Sequence, residues 1–152
     1  MPDYFFDTSA VAKHYHAETG TPKVDALLAD ASSSHTISRL SVVELHSVFA
    51  KKVRTGQLTR TAFENLTRRF RSDVRAKRLR VVRLTVAHFS AAVDLIRRVG
   101  LVQNLRTLDA LQLAVALDLN DPGRPVTFVC ADAALCTIAA AEGLTVINPE
   151  VP

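Results

Sequence analysis

The sequence predicts an α/β fold, in which a parallel β-sheet is covered by helices on both faces. Short β-rich segments alternate with longer segments of helical periodicity along the whole chain, and this alternation is typical of parallel sheets. No internal repeat, linker or low-complexity tract interrupts the order. With 152 residues, of which 48% are apolar and 22% charged, the chain has the size and composition of one globular domain, expected to span residues 1–152.

The chain opens with one short strand and two helices. Tyr4-Phe5-Phe6 is an aromatic strand segment, and it runs into Asp7-Thr8-Ser9, three residue types that favour helix N-caps and turns. A helix is therefore expected to continue through Tyr15. Gly20-Thr21-Pro22 predicts the start of a second helix, which a serine-rich turn ends near Ala31.

The next segments predict a strand followed by two long helices. Residues 35–39 form the strand segment. Ser41 precedes apolar residues at helical spacing, and Gly56 marks the expected end of that helix. Thr59 predicts the start of the following helix, whose apolar stripe extends to Phe70 while its opposite side is rich in arginine.

The second half of the chain continues the alternation. Residues 79–84 predict a short strand, and residues 85–98 predict the helix after it. Residues 106–119 are apolar nearly all round, which is typical of a helix covered on several sides. The last segments are a buried strand at residues 126–130, a helix that ends at Glu142 and a strand at residues 145–147.

Composition excludes several classes of protein. No apolar stretch approaches the roughly 18 residues needed to cross a bilayer, and Met1-Pro2-Asp3 does not resemble a secretory signal. A cytoplasmic location without membrane contact is therefore expected. Cys130 and Cys136 lack the spacing of zinc ligands, so buried reduced thiols are expected.

Charge is distributed unevenly along the chain. The net charge is +4, yet residues 51–83 hold twelve Lys or Arg against Glu64 and Asp73, a local net charge of +10. Such asymmetry indicates that one face meets a polyanion. Lys51, Lys52 and Arg54 are the leading candidates for contacts with the phosphates of such a polyanion, although a solvated helix face explains the same pattern equally well.

Four acidic residues carry the functional hypothesis. Asp7 and Asp132 each stand where an apolar strand stops and a helix starts, so both belong at the carboxyl edge of a parallel sheet, where sites form. Asp109 is embedded in the apolar helix TLDALQLAVAL and must be partnered, by Arg106 or by a cation. Glu44 completes the set, and all four are expected at helix starts.

Each acid also has a purely structural explanation. Asp7 and Asp132 are suitable N-caps, and Asp109 lies where the helix dipole favours negative charge. Ser41-Val42-Val43-Glu44 fits a capping box. Taken as a set, however, several carboxylates in one cleft repel one another unless a divalent ion such as Mg²⁺ or Mn²⁺ neutralises them and activates a bound water. The chemistry that suits this arrangement is phosphodiester hydrolysis.

Four ordered motifs extend over nearly the whole chain: DTSA, VVEL, RTLDALQLA and CADAALCTIAAAEGLTVINP. These motifs resemble the PIN-domain family, and their order is similar to that of small VapC-type toxins of toxin–antitoxin pairs. The resemblance implies a three-layer α/β/α sandwich with a five-stranded parallel sheet. It also implies that the acidic quartet of the family corresponds to Asp7, Glu44, Asp109 and Asp132.

The resemblance implies further properties. Thr8 or Ser9 would support the first acid by hydrogen bonding, and one or two Mg²⁺ or Mn²⁺ ions would activate the attacking water, with Asp7 and Asp109 as the first candidates for direct ligation. Such proteins cut RNA as homodimers and are silenced by a cognate antitoxin in the active-site groove. One departure concerns the fourth acid, which Ala133 and Ala134 follow where the family often has a basic residue.

Two alternatives to a metal-dependent nuclease are considered. An aspartyl-phosphate enzyme would require a lysine near the C-terminal strands or an acid two places after Asp7, but no lysine follows Lys77, and Ser9 occupies the second position. A non-catalytic module remains open, in which the acids hold a structural ion and the basic face binds RNA or a protein.

Overall fold

A single parallel sheet forms the centre of the computed structural model, which describes residues 2–152. Its five strands follow the order β3-β2-β1-β4-β5, and every neighbouring pair is parallel. The strands are β1 (Asp3–Phe6), β2 (Ser34–Ser38), β3 (Arg80–Val82), β4 (Val126–Val129) and β5 (Thr145–Ile147).

Seven helices cover the two faces of the sheet. They are α1 (Thr8–Tyr15), α2 (Thr21–Ala29), α3 (Arg39–Arg54), α4 (Arg60–Arg75), α5 (Val86–Arg98), α6 (Thr107–Leu119) and α7 (Ala133–Ala141). Phe6 packs among buried side chains of α1 to α4, whereas Phe5 packs among those of α5 to α7. Because neighbouring strand residues point to opposite faces, each face has its own core, and the expected three-layer α/β/α sandwich is confirmed.

The strand order places a topological switch point between β1 and β4. From β1 the chain crosses to β2 and β3 on one side, and after α5 and α6 it returns to β4 on the other side. Parallel α/β sheets form their sites at such a point, beyond the carboxyl ends of the strands. Asp7 directly follows β1, and Asp132 follows β4 after two residues, so both lie at this crevice.

The start of α3 differs from the prediction. Ser38, not Ser41, is the N-cap, because the Ser38 hydroxyl accepts the backbone N–H of Ser41. Ser41 is instead buried inside the first turn, and Glu44 lies beyond it in the second turn. The predicted capping box is therefore wrong, and Glu44 does not open its helix as the other three acids do.

Most other boundaries agree with the prediction to within a few residues. Thr59 caps α4, and its hydroxyl accepts the backbone N–H of Ala62. Both cysteines are free thiols; Cys130 is buried and Cys136 is partly buried. Within residues 2–152, every helix is too short or too polar to span a membrane.

Candidate active site at the carboxyl edge of the sheet

Asp7 is the most enclosed of the four acids. It caps α1, and its Oδ2 accepts hydrogen bonds from the backbone N and Oγ of Ser9 at 3.0 and 2.6 Å. Ser9 Oγ in turn accepts the N–H of Ala131, which ties α1 to the end of β4. Burial raises the pKa of Asp7, opposed by the Ser9 hydrogen bonds, and the charges of Glu44 and Asp109 raise it further.

Glu44 is held by one of its two oxygens. Its Oε1 accepts hydrogen bonds from Thr8 Oγ1 at 2.9 Å and from Gln112 Nε2 at 2.8 Å. Thr8 therefore contacts the second acid, whereas Ser9 supports the first, together with a longer contact of 3.8 Å from Cys130 Sγ to Asp7 Oδ2. The side chain reaches the crevice from α3, and its charge acts on Asp7.

Gln112 was not singled out by the sequence analysis, although it connects three helices. It is 1% exposed, and its Nε2 lies within 3.1 Å of acceptors on Thr8, Ser41 and Glu44. Its Oε1 accepts the Ser38 hydroxyl at 2.8 Å. A glutamine within TLDALQLAVAL was a recognisable pattern, because a buried amide requires partners.

Asp109 and Asp132 share one arginine at the outer side of the crevice. Arg106 Nε donates to Asp109 Oδ2 at 2.9 Å, and Arg106 Nη2 lies 3.6 Å from Asp132 Oδ2. Of the two partners expected for Asp109, Arg106 or a cation, the structure shows Arg106. Asp132 also caps α7, since its Oδ1 accepts the N–H of Leu135 at 3.0 Å.

A shared pattern connects three of the carboxylates. Asp7, Glu44 and Asp109 each take their hydrogen bonds on one oxygen, and no donor among residues 2–152 reaches the other oxygen. A carboxylate that is oriented through one oxygen and has no donor on the other is suited to bind a hard divalent cation such as Mg²⁺ or Mn²⁺. Within the same range, however, no three His, Cys, Asp or Glu side chains are already grouped as ligands of one ion.

The three basic residues proposed from sequence lie away from the acids. They belong to the last turn of α3, and a rise of about 1.5 Å per residue places Lys51 about 10 Å along the axis from Glu44. Lys52 Nζ contacts His16 Nδ1 at 2.8 Å and Glu18 Oε2 at 3.4 Å. Lys51 and Arg54 are exposed. Among residues 2–152, the cation that contacts Asp109 and Asp132 is Arg106.

Comparison with characterised proteins connects this geometry to a family. Ribonuclease VapC45 and Ribonuclease VapC49, both from Mycobacterium tuberculosis, are 32% identical to this chain in an alignment of 148 residues that covers 93% of this chain and 98% of each relative. The sequence model of the PIN domain matches residues 4–141.

Solved structures share the fold at lower identity. A toxin–antitoxin complex from Klebsiella pneumoniae matches with a TM-score of 0.61 at 17% identity, covering 96% of this chain and 97% of that chain. VapBC2 from Rickettsia felis, solved bound to a DNA fragment from their promoter, matches with a TM-score of 0.61 at 15% identity, covering 96% and 98%. Since the PIN-domain model covers most of the chain and two relatives exceed 30% identity over nearly their whole length, this protein belongs to the PIN-domain family.

Proposed function

We propose that this protein is a metal-dependent endoribonuclease that hydrolyses RNA phosphodiester bonds and acts as the toxin of a toxin–antitoxin pair. The observation that carries the proposal is the set of acids at the switch point, three of which present an oxygen that no donor among residues 2–152 occupies. The names of the two Mycobacterium tuberculosis relatives support the ribonuclease activity. The titles of the two structural neighbours support an antitoxin partner.

The proposed mechanism divides the work between residues that bind and residues that orient. Asp7 and Asp109 are proposed as direct ligands of one or two Mg²⁺ or Mn²⁺ ions, with Glu44 and Asp132 binding directly or through water. The ion, when bound, would supply an activated water and charge stabilisation for in-line attack on phosphorus. Ser9 keeps Asp7 in place, and Thr8 keeps Glu44 in place.

Arg106 has the position of a phosphate contact. Its side chain is 67% exposed and lies at the outer side of the acids. A guanidinium binds phosphate oxygens in a forked geometry, so Arg106 is proposed to hold the scissile phosphate against the acidic cluster.

RNA outside the cleavage position is proposed to follow the basic segment of residues 51–83, with Lys51, Lys52 and Arg54 as phosphate contacts. The distance of these residues from the acids suits nucleotides flanking the scissile bond. RNA affinity should then fall steeply with salt, because phosphate binding releases counterions. Substituting Lys51 and Arg54 with alanine should flatten the dependence of RNA affinity on salt concentration. An unchanged slope would show that these residues do not bind RNA phosphates.

The protein is further proposed to act in the cytoplasm as a homodimer. The apolar side chains exposed along α5, Val86, Phe89 and Val93, offer a surface that a second copy could cover. Phe89→Glu should reduce the dimer in light-scattering measurements, whereas Val43→Glu, at an exposed apolar position on α3, should not.

The decisive experiment measures cleavage of RNA by purified protein with Mn²⁺, with Mg²⁺ and in EDTA. Asp7→Asn is expected to lose activity, because asparagine keeps the cap of α1 but not the anionic ligand. Asp94→Asn is the matched control, since Asp94 is an exposed aspartate on α5.

Persistent cleavage by Asp7→Asn would indicate a contaminating nuclease or a wrong assignment. RNA binding without cleavage in any metal would favour the non-catalytic module, in which the acids hold a structural ion.

A further inference from the structure

The side chain of Gln112 lies where an apolar residue would be expected. It occupies the centre of α6, between Leu111 and Leu113, and every residue from Ala110 to Ala116 is buried. Burying an amide costs free energy unless its donors and acceptor are all satisfied. In this protein they are satisfied by residues of α1, α3 and the end of β2. Among these partners, Glu44 lies 68 residues and Thr8 lies 104 residues from Gln112 along the chain.

The orientation of the amide follows from its partners. Ser38 uses its oxygen to accept the N–H of Ser41, and its hydroxyl proton is donated to Gln112 Oε1. The amide nitrogen faces Glu44 Oε1 at 2.8 Å. The opposite orientation would place the amide oxygen against the carboxylate oxygen, with two acceptors in contact, so the Glu44 bond selects this orientation, and the Ser38 bond is compatible with it.

This arrangement determines which oxygen of Glu44 is available. Gln112 and Thr8 both donate to Oε1, and no donor among residues 2–152 reaches Oε2. Glu44 is only partly buried, so without these two bonds its side chain could adopt other rotamers toward solvent. Gln112 is itself 1% exposed, which makes it a rigid reference for a partly buried acid.

We propose that Gln112 is a positioning residue, which holds Glu44 by Oε1 so that Oε2 is presented to the divalent ion. The inference deepens the proposed function and rests on it. Groups that orient a metal ligand typically change metal affinity or activity by about 10- to 100-fold when they are removed. Packing alone does not account for this glutamine, because leucine or methionine would fill a similar volume without a buried amide.

The test measures binding of Mn²⁺ to metal-free protein by electron paramagnetic resonance, with no RNA present, alongside thermal unfolding. Gln112→Leu should weaken Mn²⁺ binding by about 10- to 100-fold. The matched control is Leu113→Ala, which removes a fully buried side chain of the same helix that is not in the network. That variant should unfold at lower temperature and still bind Mn²⁺ as the parent does. If Gln112→Leu does not fold, Gln112→Met makes the same test with an unbranched side chain.

A double-mutant cycle separates positioning from general disruption. In a Glu44→Gln background, Gln112→Leu should not weaken Mn²⁺ binding further, because its effect passes through Glu44. Additive losses would overturn the inference, as would parent-like Mn²⁺ affinity in Gln112→Leu. Absence of Mn²⁺ binding by the parent itself would overturn the proposed metal-dependent function and the inference with it, so the two failures are distinguishable.

Discussion

The two sides of the active-site crevice hold their carboxylates by different means. On the inner side, consisting of Thr8, Ser41, Glu44 and Gln112, neutral donors surround the acid, and three of the four residues are at most 5% exposed. On the outer side, consisting of Arg106, Asp109 and Asp132, one arginine with a 67% exposed side chain connects two acids.

This difference indicates that the inner side holds its acid rigidly, whereas the outer side can exchange the partners of its acids. Buried neutral hydrogen bonds are hardly affected by salt and become costly when one partner is removed. An exposed ion pair contributes little to stability and is weakened by salt. The inner side is therefore suited to fixing a ligand in one orientation. On the outer side, the acids can exchange the arginine for a metal ion, and the arginine can exchange the acids for a phosphate.

The largest expected effect concerns catalysis on the outer side. Asp109→Asn should lower RNA cleavage by at least about 100-fold, the range found when a preorganised electrostatic group is lost. In EDTA its free energy of unfolding should stay within about 1 kcal/mol of the parent, because the Arg106 partner is mostly solvated. Asp118→Asn, at a position with a 67% exposed side chain on the same helix, is the control. A markedly less stable Asp109→Asn would favour a structural role.

A smaller effect is expected for stability on the inner side. Thr8→Val keeps the shape of the side chain but removes the hydroxyl that contacts Ser41 and Glu44. The loss should be about 1–3 kcal/mol in urea unfolding, because buried polar partners remain. Thr137→Val, which removes an exposed hydroxyl in α7, should change stability by less than about 0.5 kcal/mol. Equal effects at the two positions would contradict the assigned importance of the inner network.

Asp7, which lies between the two sides, should make stability depend on pH. Burial raises its pKa above the ordinary 3.8, against the lowering by Ser9 and with a further rise from Glu44 and Asp109. A group with a raised folded-state pKa contributes stability below its unfolded pKa and loses it as pH rises through the folded pKa. In EDTA, the melting temperature of Asp7→Asn relative to that of the parent should therefore increase as pH rises from about 4 to 7. Parallel pH profiles of the two proteins would refute this.

The smallest expected effect concerns the stability and the metal affinity of an Arg106 variant. Arg106→Ala should change stability by less than about 1 kcal/mol, and the change should shrink in high salt. Mn²⁺ affinity should increase by a few-fold, because the guanidinium no longer competes for Asp109 and Asp132. Arg98→Ala, which removes a comparable ion pair with Glu142, should leave Mn²⁺ affinity unchanged. Weaker Mn²⁺ binding by Arg106→Ala would show that the arginine supports the ion rather than competing with it.

The features that the sequence predicts correctly are those between near neighbours in the chain. Asp7 and Asp132 were placed at strand ends, and Arg106 was paired with Asp109, because strand–cap patterns and three-residue spacing are short-range features. The cap of α3 was misplaced because Ser38 and Ser41 are both suitable cap residues, and only the backbone geometry after β2 selects Ser38. Thr8 or Ser9 was expected to support the adjacent acid, and Ser9 does so, whereas Thr8 contacts Glu44, which is 36 residues away.

By itself, the sequence determined the alternation of strands and helices, the two apolar faces and the position of acids at the strand ends, because these depend on periodicity and capping within a few residues. Only the tertiary structure decided which oxygen of each carboxylate is occupied and which donor occupies it. Those contacts join residues up to 104 positions apart, and their orientation depends on the packing of α1, α3 and α6 around one crevice.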